Sequence, residues 1–351
     1  MKYRPIDQLE QSDRLGRNIY ANDGRVLLGK GISLTIGLIG RLKRMGVHAV
    51  YVMDDEEEGK DIPESEDESS ISDKTKREVM KNLSESLGII QEGKDFHTKD
   101  LGQTTKNIID ELLHNKDVLL QLEDIRTKDN ELLIHSMHVT VMSVLVGIKL
   151  QYTNKELIEL GIGAILHDVG KVGKKQKDGL AANEHHAWIG FNTLRKNREI
   201  STVSAHVAFQ HHEYLDGSGE PRGVKGENIH PYARIVSVAN TYDNLVSPQD
   251  GSQPLLPYEA GEQIMGLAGE KFDRDVVWQF LRSVAFYPNG SNVHLSNGSI
   301  ATIVGQNKGL PQRPIVRIFS NNTTNQYMHY DVEEINLAKA PTLFINRMVQ
   351  D

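Results

Sequence analysis

The chain has 351 residues, 38% of them hydrophobic, with no cysteine and a formal net charge of −8. The absence of cysteine excludes disulfides and thiolate metal sites, so any metal must be held by His, Asp and Glu. The charge sits in one segment, 54-DDEEEGKDIPESEDE-68, whose ten acids and one lysine leave the rest of the chain at +1, with no basic face of the kind a nucleic-acid polymer needs.

At about 100–200 residues per domain, two or three domains are expected. No stretch reaches about 18 uninterrupted apolar residues, and the N-terminus MKYRPIDQLEQSDRLGRN lacks a signal-peptide core, so a cytoplasmic chain without membrane insertion is expected. Residues 1–53 read as a small α/β accessory module. NIYANDGRVLLGKG predicts two short strands around Asn22-Asp23-Gly24, SLTIGLIGRLKRMG a helix capped by Ser33 or Thr35 and stopped by Gly46, and VHAVYVM a closing strand. Residues 54–73 read as an acidic, disordered linker, too polar to bury a core.

Apolar spacings of three and four predict helices throughout 74–282, with the core of that helical domain at 130–282. VMKNLSESLGIIQEG and TKNIIDELLHNKDVLLQL come first. Then follow ELLIHSMHVTVMSVLVGIKL, KELIELGIGAILHDVGK, EHHAWIGFNTLRK, TVSAHVAFQHHEYL, ARIVSVANTYDNL, YEAGEQIM and RDVVWQFLRSV. From about 283 apolar and polar residues alternate between Asn-Gly, Lys-Gly and Pro turns, which predicts a small antiparallel, barrel-like β module over 283–351. Its tail, APTLFINRMVQD, reads as helix-like. The expected fold class is therefore mainly α, with a small α/β module before the helical domain and a small β module after it.

Eight of the 14 histidines fall between 135 and 212: His135, His138, His167, His185, His186, His206, His211 and His212. Glu131 and His135 are four apart and share a helix face, an arrangement open to metal ligation or to a solvated ion pair. His167 and Asp168 follow the apolar IGAIL, where burying them without a partner or metal is costly. A carboxylate has two oxygens, so Asp168 can bridge two ions while His167 serves one. Lys171, a turn later, is placed to neutralise a phosphate oxygen. His186, the pair His211–His212 and Asp243 complete a set of five imidazoles and three carboxylates. Such a set suits Fe, Mn, Co, Ni or Zn better than Ca or Mg, and exceeds the needs of one ion.

These motifs resemble a known family. HDVGK at 167–171 looks like the HD motif of the HD phosphohydrolase superfamily. HHEYLDGSGEPRGVKGENI at 211–229 resembles the second signature of its HD-GYP branch, HHE-x-x-D-G-x-G-Y-P-x-G-x-x-G-x-x-I, and ARIVSVANTYDNL at 233–245 the helix that follows it. The resemblance covers about 130–282. It implies a helical HD-type domain with two or three transition-metal ions, commonly iron or manganese. The implied reaction is hydrolysis of the bacterial messenger cyclic di-GMP to linear pGpG or on to GMP. It implies His135, His167, Asp168, His186, His211, His212 and Asp243 as metal ligands, Glu131 as the extra ligand of three-metal members, and Lys171 near the scissile phosphate. With Asp168 and Lys171 as the catalytic pair, Lys171, Gly217, Gly219 and Glu220 face the substrate. The chemistry fits: metals neutralise the non-bridging phosphate oxygens and lower the pKa of a bridging water, so that a metal-bridged hydroxide attacks in line.

The chain departs from the family pattern in several places. Gly-Tyr-Pro is Gly219-Glu220-Pro221, which puts an anion where the family has an aromatic. The family's Ala-Asp is Ala239-Asn240, and the basic stretch after that motif is replaced by 246-VSPQDGSQPLLPYEA-260, with no Arg or Lys. The loop after HDVGK carries Lys174, Lys175 and Lys177, either a replacement phosphate grip or a solvated basic loop. Two other readings therefore stand beside the phosphodiesterase: a hydrolase of another nucleotide, and a non-catalytic cyclic dinucleotide sensor or adaptor. The flanking modules are candidates for homodimerisation.

Overall fold

The computed structural model describes residues 2–53, 71–115, 119–121, 124–172, 185–248, 252–322 and 329–349. The acidic run 54–68 and the lysines 174, 175 and 177 lie outside the described residues.

In the N-terminal region β1 (Lys2–Pro5) pairs antiparallel with β4 (Ala49–Val52), and β2 (Ile19–Tyr20) with β3 (Val26–Leu28). Between them lies α1 (Ile36–Arg44), whose first turn is capped by the Thr35 hydroxyl accepting from the Leu38 N–H. Leu15, Ile19, Leu34, Leu42, Val47 and Val50 form its core, and Ile125 of the following region packs into it. Asn130, fully buried, ties the two together: its side chain donates to the Tyr20 carbonyl at 2.8 Å and accepts from the Thr127 N–H at 2.7 Å.

The central region is helical: α2 (Asp73–Gln91), α3 (Lys99–His114), α4 (Glu131–Lys149), α5 (Asn154–Ile165), α6 (His186–Leu194), α7 (Thr202–Gln210), α8 (Pro231–Val246), α9 (Pro257–Gly266) and α10 (Arg274–Leu281). Helix α4 is the axis of this region. Its apolar residues run round the whole helix, so α2, α3, α5, α8 and α10 all pack on it and residues 133–147 are buried. By length and composition α4 is apolar enough to cross a membrane, but 83% of its apolar window is buried inside the protein, the signature of a core helix. α5 starts with a reciprocal cap between Thr153 and Glu156. α8 starts with Pro231 in its first turn, where a missing N–H costs nothing.

The structure differs from expectation in two places. Helix α3 stops at His114 instead of continuing to Leu122. Leu119 and Leu120 are buried, and the backbone of Leu120 pairs with Ser283 and Ala285, so a bridge to a distant segment replaces helical bonds there. The C-terminal segment is a strand, not a helix. β9 (Ile345–Met348) adds to the edge of the β module, where Ile345 and Met348 pack on its core. A short segment gains more from a waiting sheet edge and apolar face than from a few isolated helical turns. The module, with β5 (Asn292–Leu295), β6 (Ile300–Gly305), β7 (Ile315–Asn322) and β8 (His329–Asn336), is antiparallel throughout in the order β8-β7-β6-β5-β9.

Candidate metal centre

Helix ends deliver the histidines to one place. His135 lies one turn into α4, and His167 and Asp168 follow the end of α5. His186 opens α6, and His211 and His212 leave α7 directly after Gln210. Gly170 permits the convergence. A Cβ on it would collide with the His186 carbonyl, so only glycine lets the turn after Asp168 lie against the start of α6.

Asp168 is the hub. Its Oδ2 faces His135 Nε2 at 3.4 Å and His167 Nε2 at 3.5 Å, while its Oδ1 faces His186 Nε2 at 3.2 Å and His211 Nε2 at 3.6 Å. The imidazoles also face one another through Nε2: His135 and His167 at 3.2 Å, His186 and His211 at 3.2 Å, His186 and His212 at 3.1 Å. Two sets of donor atoms result, His135–His167–Asp168 and Asp168–His186–His211–His212, sharing one carboxylate.

The outer ring nitrogens determine what the inner ones offer. His167 Nδ1 lies 2.7 Å from the Ala164 carbonyl and His211 Nδ1 3.0 Å from that of Ala208. A carbonyl only accepts, so both Nδ1 atoms carry the hydrogen and both Nε2 lone pairs point inward. His135 Nδ1 is held by Asp243 Oδ2 at 2.6 Å in the same sense. This is the arrangement in which a carboxylate or carbonyl orients a ligating histidine.

The electrostatics call for a cation. Burial alone would lower the pKa of His135, but Asp168 and Asp243 outweigh it and raise it to about 9, so the pocket's own charges draw positive charge there. Burial would raise the pKa of Asp168, yet His167 and the other imidazoles around it hold it well below the usual carboxylate range. Burial holds His167, His211 and His212 below the ordinary histidine value, which leaves their lone pairs free. Asp168 Oδ1, fully buried, accepts no hydrogen bond. An orphaned buried carboxylate oxygen facing imidazole lone pairs is expensive unless a cation stands between them. With metal–nitrogen bonds of about 2.0–2.1 Å, neighbouring ligands lie about 3.0–3.4 Å apart, close to the separations here. The residues thus fit metal ions, one on each side of Asp168.

Other expected site residues occupy different places. Asp243 is one layer back. Its oxygens accept from Arg126 at 2.7 and 2.8 Å and face His135 and His138, and it joins neither donor set. The expected ligand Asp243 therefore lies against His135, whose Nδ1 it meets at 2.6 Å. Glu131 opens α4 half-buried, one turn before His135, and belongs to neither set. Lys171 Nζ donates to Asp168 Oδ2 at 2.6 Å from a side chain one-third exposed, at the mouth of the site. Gly217 has φ +80°, and Gly219 lies against the His212 carbonyl, so the loop folds back onto the backbone that follows α7. Glu213, buried, ties that loop down by accepting from the Arg222 and Val224 N–H groups at 2.9 and 3.0 Å. Glu220 is 74% exposed and turns toward His185 Nε2 at 3.5 Å, on the rim and outside both donor sets. The residues that sequence reasoning passed over are Arg126, Asp124, Glu213 and His138. Two of them left a signal: His138 as a histidine three positions after His135 on the same helix, and Glu213 as the acid of the HHE signature.

Residues 122–276 match the family model described as HD domain, and residues 292–351 the KOW domain associated with HD domain. Among curated proteins the chain is similar to the cyclic di-GMP phosphodiesterase PA4108 of Pseudomonas aeruginosa, with 27% identity over 65% of this chain and 57% of that one. It is also similar to a cyclic di-GMP phosphodiesterase of Thermotoga maritima, with 29% identity over 58% of this chain and 56% of that one. The chain thus spans little more than half the length of these relatives. Among solved structures it shares the fold of Bd1817, an HDG"Y"P protein from Bdellovibrio bacteriovorus, at a TM-score of 0.50 and 18% identity, covering 80% of this chain and 98% of that one. The helical domain that gathers these histidines around Asp168 is an HD domain, and the sheet that follows it is the KOW domain that accompanies such domains.

Proposed function

We propose that this protein is a metal-dependent phosphodiesterase that hydrolyses cyclic di-GMP to linear pGpG or on to GMP. The observation that carries this reading is the shared carboxylate of Asp168, with inward-facing imidazoles on both of its oxygens. The activity named for the two relatives supports it. His135, His167 and Asp168 would hold one ion, and Asp168, His186, His211 and His212 a second, iron or manganese, with Glu131 available to a third. When bound, a metal pair neutralises phosphate oxygens and lowers the pKa of a water between them. The chain's own contribution is placement. Carbonyls and Asp243 fix the imidazole tautomers, so the donors need little reorganisation on loading. Lys171, at the mouth, is within a short swing of a non-bridging phosphate oxygen. The loop braced by Glu213 holds the backbone that carries His211 and His212. A cytoplasmic location accompanies such a substrate.

A second reading, hydrolysis of a different cyclic or phosphorylated nucleotide, is favoured by Glu220, a carboxylate at the rim where an anionic substrate enters. The test is direct. Protein purified without chelator or oxygen is given Mn²⁺ or Fe²⁺ and cyclic di-GMP, and products are followed by chromatography. The wild type should release pGpG or GMP, and the His167→Ala/Asp168→Ala variant should release none while keeping its helix content. Turnover in that variant refutes the site. An inert wild type that cleaves another nucleotide in a panel establishes the second reading.

A further inference from the structure

We infer that the cleft between the helical region and the β module is a second binding site, for a small nucleotide. Lys149, Arg282 and Lys308 hold its phosphate, and Trp278 carries its base. The cleft has a volume of about 360 Å³ and is lined by Lys149, Gln279, Arg282, Lys308 and Gly309. No Asp or Glu lines it among the described residues. Lys149 ends α4, Gln279 lies on α10, and Arg282 caps that helix. Lys308 and Gly309 belong to the turn between β6 and β7.

Lys149 and Arg282 each have a local reason to be basic, since the carbonyls at a helix C-terminus favour a cation. That reason does not extend to Lys308, nor to three like charges meeting in one concave place. Low-dielectric walls focus the field of such a group, which draws an anion into it. A lysine ammonium carries three donors and a guanidinium five, enough to bond protein and phosphate together. Three cations are too few to track a nucleic-acid polymer, so the anion is small. Trp278 narrows its identity. This indole is 61% exposed, and the Arg282 guanidinium lies 5.8 Å from its ring centre. An exposed aromatic face beside a guanidinium is a stacking platform for a nucleobase, which a bare phosphate or an acidic side chain would not use. Gln279, next in the chain, offers both a donor and an acceptor to the edge of that base.

The walls of the cleft are fixed in place. Gln306, two residues before Lys308, donates to the Tyr287 carbonyl at 2.7 Å and to Asn289 Oδ1 at 2.9 Å. The Asn289 N–H in turn donates to Gln121 Oε1 at 3.0 Å, and Tyr287 stacks on Tyr258 of α9 with ring centres 5.6 Å apart. The turn that carries Lys308 is thus bonded to a segment docked on the helices, and binding needs little reorganisation. Lys149 lies in the residues matched as HD domain, Lys308 in those matched as KOW domain, and Trp278, Gln279 and Arg282 between the two. A bound nucleotide therefore spans the seam between them. The site is separate from the metal centre: Lys149 stands at the far end of α4 from His135, about 21 Å along the helix at about 1.5 Å per residue.

The chain has two tryptophans, so the full-length Trp188→Phe variant leaves Trp278 as the reporter. GMP added to it should quench the fluorescence along a saturating curve. Adding Arg282→Gln/Lys308→Gln should weaken that affinity by at least about tenfold, the scale for lost hydrogen bonds to a charged group. Lys149→Gln should weaken it in the same direction if the double charge variant does not fold, which circular dichroism checks. Guanosine, without the phosphate, should bind at least about tenfold more weakly than GMP. Inorganic phosphate, without the base, should displace GMP only in large excess. Absence of quenching by GMP, equal affinity for guanosine, displacement by phosphate at equal concentration, or unchanged affinity in a folded charge variant overturns the inference. The measurement needs no metal ion, so its outcome is independent of the phosphodiesterase reading.

Discussion

Asp168 shows how one side chain can organise a site. Its two oxygens look at different groups of imidazoles, and the glycine two residues later lets the groups meet. Gly170→Ala should therefore act twice: the added Cβ must push the turn off α6, costing about 1–3 kcal/mol in stability, and it should separate His186 from Asp168. Thermal unfolding checks the first effect and metal content the second, which should fall by one ion per chain; an unchanged content would show that α6 shifts as a unit. The histidines and Asp168 were legible in the sequence because metal ligation demands particular residue types at helix ends. The partner of Asp243 was not. Arg126, 117 positions away, meets both of its oxygens and belongs to no motif.

Helix α4 takes its position from both of its neighbouring regions, and Asn130 just before it is the joint with the N-terminal module. Replacing Asn130 with Ala would leave the Tyr20 carbonyl and the Thr127 N–H buried without partners, at about 1–3 kcal/mol for each orphaned group. A melting temperature lowered by several degrees is expected, and none would mean that the module is not docked there. The helices themselves were readable from apolar spacing and caps such as Thr35 and Thr153. The ends of α3 and β9 were not, because Leu120 and Ile345 are placed by backbone partners distant in sequence.

Taken together, the chain has a helical region, of which residues 122–276 match the HD domain, with a module on each side, and its buried charges make its stability depend on pH. Burial alone would raise the pKa of Asp124, but the charge of Lys76 and the contact with His138 outweigh it and hold the carboxyl below the ordinary range. A depressed folded pKa means that the stabilisation is present above the unfolded value of about 3.9 and is lost as pH falls below it. The order of modules was visible in composition, from the acidic run and the change to alternating residues near 283. The contacts of Asp124 with Lys76 and His138 were not, because these residues are distant in sequence and belong to no motif.

The measurement that bears most directly on this account is the number of metal ions per chain in protein reconstituted with Mn²⁺ or Fe²⁺ without oxygen, counted by mass spectrometry for the wild type and for Asp168→Ala. A bridging Asp168 predicts at least two ions in the wild type and at most one in the variant. A single ion in the wild type, or a full complement in the variant, would contradict a centre built on one shared carboxylate.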